Sequence, residues 1–245
     1  MRLHTSLLCA LMIAPLVAAP AQSEGDLRAF VALDASPIGA LTPLLSPSMV
    51  GRQLNGAQLG IRYGFSSDNN ETRHAVAGSG IFAVGTNSSI SLTAGVSDTD
   101  CTDCTLELLL GVGGDMRVFE AGDVLGQGNS FSLGVSGDFG FARLQPSDVN
   151  AYALGIGAPM NLTIARGGTT GMRIVAYFTP MLGIGQLSTD CLTPGCQNSG
   201  TRWVMGGGIG VWNPLTSISA SVGFNRVMFD DAATTFGVNV VLGGR

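Results

Sequence analysis

Ser130 to Arg143 reads SFSLGVSGDFGFAR. Phe131, Leu133, Val135, Phe139 and Phe141 fall on odd positions; Ser130, Ser132, Gly134, Ser136, Asp138 and Gly140 fall on even ones. A strict period of two is the signature of a β-strand with one apolar and one polar face. The polar face here is Ser and Gly with one charge. The water-facing side of a soluble sheet normally carries charge on about a quarter or more of its residues.

The pattern recurs on both sides of this stretch. Ala57, Leu59, Ile61, Tyr63 and Phe65 oppose Gln58, Gly60, Arg62 and Gly64. A polar loop, SSDNNETR, is expected from Ser66, then an apolar strand over Ala75 to Thr86 and a turn at Gly85-Thr86-Asn87-Ser88. Ile90, Leu92, Ala94 and Val96 alternate with Ser and Thr; Leu106, Leu108, Leu110 and Val112 alternate with Thr105 and Glu107, although Leu109 interrupts that polar face. Asp115 to Asn129 has no clear period and reads as an irregular connection. Further strands follow over Ala151 to Ala158, Met172 to Gly185, Trp203 to Val211, Ser217 to Asn225 and Phe236 to Leu242. Turns are expected at Arg166-Gly167-Gly168-Thr169 and at Asn213-Pro214.

That makes ten strands between about Arg52 and Leu242, each taking roughly 19 residues with its connection, a spacing suited to strands of about 9–11 residues. The polar faces are Ser, Thr, Gly and Asn almost without charge. The simpler assignment therefore puts the apolar face outward to lipid and the small polar face into a lumen. Backbone groups in hydrocarbon must all be paired, which forces the sheet to close. The expected fold is all-β: a closed, antiparallel, up-and-down transmembrane β-barrel of about ten strands, with eight strands as the alternative.

Residues 1–21 read as a signal peptide: Arg2 and His4, an apolar run from Leu7 to Val17, and Ala19-Pro20-Ala21 before Gln22. Cys9 lies inside the apolar run rather than at the cleavage point, so a lipid anchor is not expected. Residues 22–51 contain Leu27 to Leu33, then Pro37, Pro43 and Pro47. Proline removes ladder donors, so the segment is either a periplasmic lead-in or a plug folded into the lumen. Residues 52–245 form the barrel.

Without the leader, four cysteines remain, as Cys101-x2-Cys104 and Cys191-x4-Cys196. In an exported chain they are disulfide candidates, with the pairing open. Both pairs fall on connections that follow odd-numbered strands, and so at one end of the barrel. With both chain ends periplasmic, that end is extracellular.

These features resemble the small bacterial outer-membrane β-barrel proteins, the porin-like and OmpA-like barrel domains. The resemblance covers about Arg52 to Leu242. The last strand, with Thr235, Gly237, Val240 and Leu242, is similar to that family's assembly signal. It implies a location in the bacterial outer membrane, reached by the signal peptide, with the lipid bilayer as partner.

No enzymatic role is expected. His74 is the one histidine after the leader, and no G-x-S-x-G surrounds a serine. Asp98, Asp100 and Asp103 lack the spacing of a calcium loop and read as a solvated acidic loop. Gly206-Gly207-Gly208 lies inside a strand with no helix behind it, so it is no phosphate cradle. A net charge of −5 argues against nucleic-acid binding. No cofactor or metal is expected. Glu107 and Asp138 are expected to point into the lumen, with Arg62 and Arg173 as partners in a polar network. The function expected is a monomeric structural barrel or a narrow passive channel for a small solute. The alternatives are a surface interaction or adhesion module using disulfide-pinned loops, and a soluble periplasmic barrel binding an apolar ligand.

Overall fold

The computed structural model describes residues 57–68, 71–99, 106–124, 128–144, 149–165, 171–188, 199–213, 215–228 and 234–243. The leader, the segment 22–51, all four cysteines and the turn at Arg166 to Thr169 lie outside them. The described strands are β1 (Ala57–Asp68), β2 (Glu71–Ala83), β3 (Ser88–Thr99), β4 (Glu107–Gly122), β5 (Ser130–Leu144), β6 (Val149–Gly157), β7 (Met160–Ala165), β8 (Arg173–Leu187), β9 (Ser199–Asn213), β10 (Ile218–Val227) and β11 (Thr234–Gly243). Each pairs antiparallel with its neighbours, and β1 pairs with both β2 and β11, so the sheet closes.

The eleven strands form ten staves, not eight. β6 and β7 lie end to end, and each pairs with β5 on one side and β8 on the other. Pro159, which has no N–H to give the ladder, stands at the break. The stave stays attached there because Ala158 N donates to Pro180 O at 2.9 Å and Gly134 N donates to Pro159 O at 2.8 Å.

Two stretches read as connections are largely strand. β1 and β2 pair out to Asp68↔Glu71, so most of SSDNNETR is hairpin. These strand ends project beyond the apolar zone, so both of their faces turn polar and the alternation disappears from the sequence. β4 runs on to Gly122, and most of Asp115 to Asn129 is paired with β5. The register shifts between Arg117 and Phe119, where Val118 is the extra residue of a β-bulge. Two residues then oppose one, and the period of two breaks. Arg117 anchors the bulge: its N–H donates to Asn87 O and its Nη2 to Asn87 Oδ1, both at 2.8 Å. The turn expected at Gly85 is present, closed by Val84 N to Ser88 O at 2.9 Å, with Gly85 at φ 75°.

Partners can be followed round the wall from Arg62. Through Ala77, Gly95, Leu109, Ala142 and Ala151 the path reaches β8 at Leu187. The other way, through Asn239, Ser221 and Gly210, it reaches β8 at Val175, twelve residues away. With about 3.3 Å per residue and about 4.8 Å between strands, that stagger tilts the staves by about 40° and makes the wall roughly 20 Å across.

The faces divide as the alternation requires. Leu59, Ile61 and Ile156 point outward and are 67%, 63% and 62% exposed. Phe139, Val222, Phe236, Val238 and Val240 are among the many other large apolar side chains on the exterior. The leucines and phenylalanines of the alternating strands therefore do not converge on an enclosed centre, as a soluble ligand-binding calyx would need. Each such residue left in water would forgo about 1–2 kcal/mol of burial, and soluble monomers rarely expose so large a continuous patch. Phe65 stacks on Phe236 at 5.7 Å, and Phe141 meets Tyr152 at 5.5 Å, across neighbouring strands.

Candidate functional site

The chemistry of the molecule is concentrated on the inward face. The near end of the lumen is where β1 begins and β11 finishes; the far end is opposite.

Towards the far end, β2, β3 and β4 bring together Arg73, Ser97 and Glu107. Arg73 Nη2 lies 3.1 Å from Glu107 Oε2 and donates to Ser97 Oγ at 2.7 Å; Ser97 Oγ in turn donates to Glu107 Oε2 at 2.7 Å. Sequence reasoning missed Arg73 as the partner of Glu107, because Arg73 lay inside the tract read as a loop. A signal was available: Arg73 has the same parity as Ala75, Ala77 and Ser79, the inward positions of β2.

Halfway along β1, Arg62 is 0% exposed and its Nη2 donates to Thr93 Oγ1 at 3.0 Å. Thr93 Oγ1 shares a 2.8 Å hydrogen bond with Ser79 Oγ. Asp138 sits halfway along β5 and is buried; its partners across the sheet are Gly113 and Gly155.

Near the other end, Ser89 Oγ donates to Asp115 Oδ1 at 2.5 Å, and Arg117 pairs with Glu120 at 2.7 Å. Arg173 opens β8 there and lies 5.1 Å from the centre of the Trp212 ring. The four expected site residues thus all lie on inward positions, but at different depths. Arg62 and Asp138 are midway, Glu107 is at the far end and Arg173 is at the near end.

Tyr177 was not singled out from the sequence. From β8 it leans across β9 to β10, where its hydroxyl donates to Val222 O at 3.3 Å. It fits because Gly208 and Gly223 lie beneath it: a Cβ on either would come within 2.5 Å of Tyr177 Oη. The far half of the lumen is also less polar than the Ser/Gly strand suggests. Leu109, Ala142, Ala151, Ala153, Met181 and Val204 form a buried apolar cluster on its wall.

His74 faces outward. Its Nδ1 shares a 2.8 Å hydrogen bond with Tyr63 Oη, and the two rings stack at 6.1 Å. Among the described residues no three His, Cys, Asp or Glu side chains group in a way that could hold a metal ion.

No protein-family model matches the chain, and no curated protein matches it. Several solved structures do, and they are bacterial outer-membrane β-barrels. The outer-membrane enzyme PagL matches over 76% of this chain and 99% of its own, with 7% identity and a TM-score of 0.38. The N-terminal β-barrel domain of Pseudomonas aeruginosa OprF matches over 76% of this chain and 97% of its own, with 10% identity and a TM-score of 0.31. The translocator domain of the autotransporter NalP from Neisseria meningitidis matches over 78% and 90%, with 13% identity and a TM-score of 0.34.

Proposed function

We propose that the protein is a monomeric integral β-barrel of the bacterial outer membrane, exported by residues 1–21, whose role is structural and not enzymatic. The observation that carries this reading is the exterior: aliphatic and aromatic side chains exposed on every full-length stave, around a sheet with no free edge. A closed sheet satisfies its own backbone in hydrocarbon, and such a belt is stable there and costly in water. A structural barrel is favoured over a passive channel by the state of the lumen. Away from the stave ends, every described inward side chain is buried, and an open bore would leave an innermost layer wet. A catalytic reading gains no support from His74, whose Nδ1 is engaged by Tyr63 on the outer face.

Cell fractionation with heat-dependent gel mobility tests the membrane reading. The protein should pellet with outer membranes and migrate faster unheated than boiled. A detergent-free soluble product would overturn it. Planar-bilayer recording of the full mature chain should show no stepwise current; steady conductance would restore the channel.

A second reading has one observation behind it. The strand ends flanking both cysteine tracts, Thr99 and Glu107 for one and Leu187 and Ser199 for the other, all lie at the far end. Loops pinned there by disulfides would form one surface for a partner on the extracellular side. Reduction should then abolish adhesion to cells or matrix while gel mobility stays that of a folded barrel.

A further inference from the structure

The outer wall carries a groove in the far half of the barrel. Phe224, Phe236 and Phe65 are cross-strand partners on β10, β11 and β1, and so are Val222, Val238 and Tyr63 one step nearer the middle. All of these side chains are exposed on the exterior. They stand as two banks, and the backbone of Gly223 and Gly237 lies between them as the floor. The groove so formed has a volume of about 460 Å³ and an almost wholly apolar lining. Its banks are held in place: Phe65 stacks on Phe236, and the Tyr63 hydroxyl is engaged by His74. The tyrosine therefore keeps its polar tip occupied beyond the groove and turns carbon towards it.

A cation stands at the edge of this groove. Arg226 follows Phe224 by two residues on β10, so it shares the outward face and lies about 7 Å nearer the far mouth. Its cross-strand partner is Thr234, which lies on the same outward face of β11 as Phe236. Among the described residues the two exposed arginines are Arg143 and Arg226, and each is next to last in a strand that ends at the far rim. The near rim differs: Arg117 is tied to Glu120 at 2.7 Å, and Arg173 lies against Trp212. An occupant of the groove must be hydrocarbon where it meets phenylalanine and valine, and anionic where it reaches Arg226. A lipid with a charged head has that form. A guanidinium fork matches the oxygens of a phosphate, and the Thr234 hydroxyl can donate to a third.

We propose that this face of β10, β11 and β1 is a binding site for a phosphorylated lipid of the outer leaflet, its phosphate on Arg226 and Thr234 and one acyl chain along the groove. This rests on the membrane-barrel reading above, which puts the far rim on the extracellular side. An arginine that merely snorkels would accept any headgroup and need no groove beneath it. A site makes two further demands: the phosphate must matter, and so must the shape of the wall below it.

The test is lipid retention by the full mature chain, folded in zwitterionic detergent and weighed intact by native mass spectrometry. The probes are diphosphoryl lipid A, the same lipid with its phosphates removed, and inorganic phosphate. Heat-dependent mobility is checked first on every variant. The chain should retain the phosphorylated lipid roughly tenfold more tightly than the dephosphorylated one, and inorganic phosphate should not displace it. Arg226→Ala should abolish that preference, and Arg226→Gln gives the same reading if the alanine variant does not fold. Val222→Trp, which fills the groove and keeps the cation, should weaken retention of both lipids. Arg143→Ala, at the same rim on another part of the wall, should change neither. Equal retention of the two lipids by the unaltered chain would mean ordinary boundary lipid only and overturn the proposal. So would an unchanged preference in a folded Arg226 variant, an equal loss from Arg143→Ala, unaltered retention by Val222→Trp, or displacement by inorganic phosphate. Failure of the unaltered chain to insert into vesicles would instead sink the membrane reading.

Discussion

Two contacts on the inner wall depend on single residues. Arg73 and Glu107 have side chains 11% and 7% exposed, so neither charge is well hydrated once its partner is gone. Breaking a buried pair from one side costs about 3–5 kcal/mol. Arg73→Ala should therefore destabilise the folded barrel by roughly that amount, less whatever water reaches the rim. Arg73→Ala with Glu107→Ala should cost clearly less than the two singles together. Urea unfolding of the barrel in lipid vesicles measures all three. The second contact is steric. A methyl at Gly223 would press on Tyr177 Oη at 2.5 Å and on the backbone oxygen of Gly207 at 2.6 Å. The hydroxyl can move but the strand cannot, so Gly223→Ala should cost about 1–3 kcal/mol. Adding Tyr177→Phe should restore only part of that, since the clash with Gly207 O remains. The same unfolding assay reads it, and full recovery would show that the tyrosine alone sets the requirement.

Among the elements, the staves are specified by which side faces lipid. Ile61 lies outward midway along β1, next to inward Arg62. Ile61→Arg should lower stability by about 2–4 kcal/mol, the cost of a guanidinium near the bilayer midplane. Were that face wet, the change would be neutral or favourable, so the sign of the shift in unfolding midpoint tests the orientation directly. The strands best read from sequence are those lying wholly within the apolar zone. Along β5, Phe131 to Phe141 alternate because lipid and lumen impose opposite demands on successive residues. That reading weakened at the strand ends. Arg73 and Glu71 lie past the zone where lipid constrains one face, and Val118 is a bulge residue that breaks the parity of β4. For these reasons both stretches lack a strand period in the sequence.

The whole molecule depends on one seam. β11 pairs with β1 over ten residue pairs, from Gln58↔Gly243 to Ser67↔Thr234, and so joins the last stave to the first. Ending the chain after Met228 would leave β1 and β10 each with a row of unpaired backbone groups, each costing several kcal/mol in hydrocarbon. The truncated protein should give no heat-modifiable band, and material that still folds into vesicles would show that the remaining staves can reclose. The even number of staves also places the start of the first strand and the end of the last at the same mouth.

By itself, the order of side chains determined the strand period, the number of staves and which face is greasy, because each follows from neighbours two residues apart. It also marked Arg62, Glu107, Asp138 and Arg173 as inward. Tertiary structure alone decided who meets whom: Glu107 with Arg73, Arg173 with Trp212, Tyr177 over Gly208 and Gly223. Those contacts depend on the twelve-residue stagger of the closed sheet, which sets the height of each stave against the next. That stagger is a property of the ring, and no single strand carries it.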